Sequence, residues 1–117
     1  MKISKPTAAD KERFLAVVPN APGVEIKPMF GNLAAFVNGN MFIGLFGSQI
    51  GVRLGEIDRD LLLAEEGAGS FGPDDRPMRA YVSLPSEWEA ERASPWIAKA
   101  LFHTATLPAK ARRPKKR

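Results

Sequence analysis

Two apolar runs separated by Asn38-Gly39 constrain this chain more than any other feature. Leu33 to Val37 is the first run and Met41 to Phe46 the second. Asn-Gly tolerates the positive φ angles of a type I′ turn, whose twist matches that of two antiparallel strands. The segment is therefore expected to form a β-hairpin. Gly47-Ser48 is a second turn signal, and Ile50 to Leu54 adds a third strand to the meander. In that strand Ile50, Val52 and Leu54 point one way, and Gly51 and Arg53 the other. The hairpin is apolar on both sides, because Phe36, Phe42 and Phe46 alternate with Leu33, Ala35, Ile43 and Leu45. A sheet covered on one side alternates with polar residues. Either the fold covers both faces of this ribbon, or one face is a surface for self-association.

The flanking segments supply helices. Thr7 is placed to cap a first helix with Asp10 in its first turn, and Phe14, Leu15, Val17 and Val18 form its apolar side. Pro19 to Gly23 ends it, and Val24 to Lys27 is short and extended. Glu56 to Glu65 reads as a second helix with Ile57, Leu61 and Ala64 on one side, followed by a loop from Gly67 to Pro77. Met78 to Leu84 alternates as a strand, Met78, Ala80, Val82 and Leu84 against Arg79, Tyr81 and Ser83. Ser94-Pro95 is a good N-cap and N1 pair. A helical turn is therefore expected near Glu87 to Arg92, and a separate helix from about Pro95 to Thr106. The order α-β-β-β-β-α-β-α gives an α+β fold, an antiparallel sheet of about five strands with helices packed on it in two layers.

The 117 residues suit one domain, residues 1–107, with a basic tail at 108–117. Six of the positive charges are Lys110, Arg112, Arg113, Lys115, Lys116 and Arg117; without them the net charge of +4 becomes −2 for residues 1–109. The basic character belongs to the tail, which is expected to be extended and disordered. It is a candidate for weak, non-specific contact with nucleic acid; a merely solubilising end is the equal alternative. With no cysteine there is no disulfide framework and no thiolate chemistry, which fits the cytoplasm. Nothing in the sequence reads as a signal peptide or a membrane span, so no membrane partner is expected.

No motif carries catalysis. Gly67-Ala68-Gly69-Ser70-Phe71-Gly72 has the spacing of a dinucleotide fingerprint. It follows a helix rather than a strand, and Asp74 and Asp75 would repel phosphate. His103 is the only histidine and has no orienting partner nearby in sequence. One histidine without cysteine makes a zinc site improbable. Adjacent carboxylates such as Glu65 and Glu66 lack the separation across a cleft that hydrolysis needs. No enzyme activity and no cofactor are expected. The candidate partner-binding residues are Met29, Phe30, Gly31, Phe36, Phe42 and Phe46. A groove lined by Met29, Phe30 and Phe42 could receive a peptide, and simple core packing is the plainer alternative.

Lys27-Pro28-Met29-Phe30-Gly31, followed by Phe36-Val37-Asn38-Gly39-Asn40-Met41-Phe42, resembles the signature of the TfoX (Sxy) N-terminal domain. Val52 to Gly55 and Arg76 to Pro85 resemble its second half, so the likeness spans roughly residues 10–107. Full-length members regulate competence for DNA uptake in bacteria, helping a cyclic-AMP receptor protein at particular promoters. They also carry a C-terminal helical domain, whereas this sequence is expected to be a stand-alone short member. The resemblance implies a non-enzymatic regulatory module that contacts another protein or a second copy of itself. Direct nucleic-acid binding through the tail is the alternative. A small-molecule site would call for an apolar pocket with converging polar groups and a buried Arg53 or Tyr81.

Overall fold

The computed structural model describes residues 5–29, 31–73 and 75–109. In chain order the elements are α1 (Ala8–Val17), β1 (Val24–Met29), β2 (Asn32–Val37), β3 (Asn40–Phe46), β4 (Gln49–Arg53), α2 (Glu56–Leu63), β5 (Gly69–Ser70), β6 (Tyr81–Ser83) and α3 (Ala90–Ala105). The six strands form one open antiparallel sheet in the order β1-β2-β3-β4-β6-β5. The α+β reading holds. The additional strand is β5, which lies inside the expected loop and pairs with β6 at the sheet edge.

Local chemistry sets the turns. Asn38 and Gly39 both have positive φ, 53° and 79°, as a type I′ turn requires. Gly47, at φ 62°, starts the β3–β4 turn. Gly31, at φ 80°, lies in the two-residue connection closed by the Met29–Asn32 pair. A side chain there would meet nothing within 4 Å, so conformation rather than space requires the glycine. Asn32 is buried, and its Oδ1 accepts a 2.9 Å hydrogen bond from the Gly47 amide, fastening the first turn to the third.

All three helices contribute to one core cluster. Phe14 of α1, Leu62 of α2, and Ala93, Ile97 and Ala100 of α3 meet Ala35, Val37, Ile43, Leu45, Ile50 and Val52 of the sheet. Each fully buried large side chain contributes about 1.5–3 kcal/mol. The expected capping box is formed, with the Asp10 amide donating to Thr7 Oγ1 and the Thr7 amide to Asp10 Oδ2.

Several expectations are corrected. Leu62 is the buried residue of α2, while Ile57 is 76% and Leu61 56% exposed. The helix presents a single buried leucine to the core, so spacing alone picked the wrong side. Residues 90–105 are one helix that runs through Pro95. Its buried stripe, Ala93, Ile97, Ala100 and Thr104, continues across the proline, and tertiary packing overrides the missing amide. The last sheet strand begins at Tyr81, not Met78. Phe42 is also on an unexpected side. Ala35 pairs with Ile43 but Phe36 with Met41, which leaves Phe42 as an extra, bulged residue in β3. The bulge reverses the alternation locally, and Phe42 sits fully buried in the core beneath the helices.

Candidate functional site

The face of the sheet away from the helices is covered by a strap, residues 71–73 and 75–80, instead of a helix. Its anchor is Phe71, 3% exposed, which lies over the cross-strand pair Gly44 and Gly51. A Cβ on Gly51 would collide with the Phe71 ring, so only glycine permits the ring to reach the backbone there. The ring meets Phe46 edge-on at 6.5 Å and Tyr81 at 5.9 Å. The strap is held by hydrogen bonds from the Met78 amide to the Phe71 carbonyl (2.9 Å) and from the Gly72 amide to Gln49 Oε1 (3.2 Å). Ala34, Met41 and Phe71 form a second small core here, with Met29, Phe36, Phe46, Met78 and Tyr81 around it.

Beside this plug the strap and sheet leave a pocket of about 340 Å³. Ala34, Met41, Gly44 and Phe46 form its sheet side, Phe71, Pro73, Arg76 and Met78 its strap side, and Met29 and Asn32 the end next to the first turn. Among the described lining residues only Asn32 and Arg76 are polar. Three methionines supply flexible, polarizable walls that adapt to an apolar guest. Asn32 is engaged with the Gly47 amide. The Arg76 side chain makes no ion pair among the described residues.

Tyr81 closes the plug from the β6 side. Its hydroxyl donates a 2.8 Å hydrogen bond to the Met41 carbonyl. Burial pushes its pKa above the ordinary tyrosine value; the nearby Arg53 guanidinium, 5.9 Å from the ring centroid, pulls the other way and is outweighed. Tyr81 is thus a structural hydrogen-bond donor at neutral pH. No group of three or more His, Cys, Asp or Glu side chains is placed to hold a metal among the described residues.

The sequence candidates divide. Met29 and Phe46 line the pocket. Phe36 is on the same face, half-buried, with Lys27 Nζ 5.4 Å from its ring centroid. Gly31 shapes the neighbouring turn. Phe42 is in the other core, so the expected Met29–Phe42 groove does not form. Phe30 lies outside the described residues, as do Lys110, Arg112, Arg113, Lys115, Lys116 and Arg117. The chain leading to the last six is tethered at the second turn, where the Asn38 and Asn40 side-chain amides donate to the Ala105 and Pro108 carbonyls. Sequence reasoning missed Gly44, Phe71, Met78 and Arg76. The one available signal was a glycine in the interior of each of two neighbouring strands.

The family model described as the TfoX N-terminal domain matches residues 16–103. No curated protein and no solved structure matches the chain. No helix among the described residues is long and apolar enough to cross a membrane.

Proposed function

The chain belongs to the TfoX N-terminal domain family, and we propose that it is a non-catalytic interaction domain that receives an apolar segment of a partner protein in the pocket between strap and sheet. The observation that supports this reading is the pocket's lining: apolar, methionine-rich and, among the described residues, without polar groups converging on a reacting atom. Apolar anchors inserted into such pockets dominate the energetics of protein interfaces. The family resemblance suggests that this contact serves a regulatory role. In this reading the basic tail adds salt-sensitive attraction to nucleic acid.

Site-specific photocrosslinking in the native cell tests the proposal. A photoreactive residue at Met29 or Met78 should yield a discrete protein adduct, and one at the exposed Glu12 of α1 should not. The adduct should persist when residues 110–117 are deleted. Adducts equally frequent from Glu12, or a pocket adduct with the mass of a metabolite, would refute the reading.

A further inference from the structure

The strap pocket faces away from the helices, and the helical layer carries a second apolar surface that the reading above does not use. We propose that this layer binds a second copy of the chain, α3 against α3 in antiparallel order about a two-fold axis near Ala98.

The outer side of α3 is apolar where it meets solvent. Pro95, Ala98, Phe102 and Ala105 are all exposed and follow one another at alternating spacings of three and four residues, the rhythm of a helix–helix seam. Phe102 is 75% exposed. Lys99, the one charged residue within that stretch, is engaged by Asp58 at 3.8 Å. Beside the seam, α1 and α3 leave a groove of about 540 Å³ with no charged residue among its described lining; Val17 and Val18 form one wall, and Ser94, Ala98 and Leu101 the other. An aromatic knob and an apolar groove on one helix are what an isologous interface requires, since each copy offers both. Symmetry about Ala98 sets Phe102 of one copy level with Ser94 of the other, where small side chains leave room for a ring.

Charge selects a second copy and its direction. The same symmetry sets Ala105 level with Glu91, so the chain that follows α3 in one copy passes the N-terminal end of α3 in the other. Residues 110–117 carry six basic side chains and no acidic one. Fully extended, eight residues reach about 26 Å. The opposing end presents Glu87, Glu89 and Glu91, all exposed and without an ion pair among the described residues. The cations at that end are already engaged, Arg92 by Glu65 at 3.3 Å and Arg13 by the Trp88 carbonyl at 3.5 Å. With Glu65 counted, four carboxylates stand there against two guanidiniums. A parallel arrangement would instead bring the two basic tails together, which like-charge repulsion disfavours.

Two measurements on the full chain test the proposal. The chain has no cysteine, so Ala109→Cys accepts a single nitroxide. Spin-labelled protein is mixed with ¹⁵N-labelled wild type, so that only contacts between copies are read. The label should broaden the amides of residues 87–91. Broadening at residues 103–107 instead would mean parallel helices and overturn the proposal. Sedimentation over a dilution series should show a dimer that Phe102→Ser weakens by about tenfold or more, with circular dichroism unchanged. Ile57→Ser, at a residue 76% exposed on α2, should leave it unaltered. Deleting residues 110–117, or raising salt, should weaken it by about two- to tenfold. A chain that is monomeric throughout, or a dimer that survives Phe102→Ser or is lost with Ile57→Ser, would overturn it. None of these results bears on the strap pocket, because an adduct between two copies has twice the chain's mass and is counted apart from a partner adduct.

Discussion

Phe71 rests on a pair of glycines because the backbone must be reached directly, and that contact is open to a simple test. Gly51→Ala drives a methyl group into the ring. The ring must leave, or the strands must part. We expect a loss of about 1–3 kcal/mol in urea unfolding, with the ¹⁵N shifts of residues 71–78 changing most. Gly44→Ala meets only the flexible end of Met41 at 3.3 Å and the Phe71 ring edge at 3.4 Å, and should cost less. Tyr81 gives a second prediction. Folding favours its protonated form. Stability is therefore unaffected below the ordinary tyrosine pKa of about 10 and falls as pH rises from there toward the raised value. It is the only tyrosine, so absorbance near 295 nm reports it alone and should show ionisation above pH 10. A midpoint at or below the ordinary value would contradict the burial. At this scale, turn chemistry was legible in Asn38, Gly39 and Gly47, whereas Gly31 was not read as a turn. The Phe71 seat was not, since one aromatic in a glycine-rich segment does not reveal which strands it will meet.

Elements were legible where their signals were local. The capping box of α1, the two tight turns of the meander and the strand character of β2 to β4 all depend on neighbours within a few residues. The errors arose where packing chose between local options. Ser94-Pro95 had every local reason to start a helix, yet α3 runs from Ala90 because its buried stripe spans the proline. Pro95 is the sixth helical residue and supplies no amide to Glu91. Pro95→Ala should therefore stabilise the domain, by about 1 kcal/mol or more, seen as a rise in Tm. An unchanged or lower Tm would mean that proline's restriction of the unfolded chain offsets the lost bond. The bulge at Phe42 is the costliest misreading for function. One extra residue in β3 moved an aromatic from the pocket face into the core, and no sequence rule marks that position.

The molecule as a whole has unequal faces, three helices over one and the strap over the other. Charge is also unequal, with residues 1–109 at −2 and six basic residues after them. If the tail contacts DNA, six phosphates give a log–log salt slope of about −5. That binding should vanish on deletion of residues 110–117, while the pocket's peptide binding remains. A slope near zero, or DNA binding that survives the deletion, would place nucleic-acid contact elsewhere. The antiparallel meander, the capped first helix, the α+β class and the segregation of charge were determined by the sequence alone, because turn φ angles, side-chain alternation and fixed charges act over short range. Only the tertiary structure decided which side Phe42 and Leu62 occupy and that Phe71 is seated on Gly44 and Gly51. It also brought Met29, Met41, Met78 and Arg76 around one pocket. Those contacts join residues far apart in the chain, and their free energy exists only once the sheet has formed.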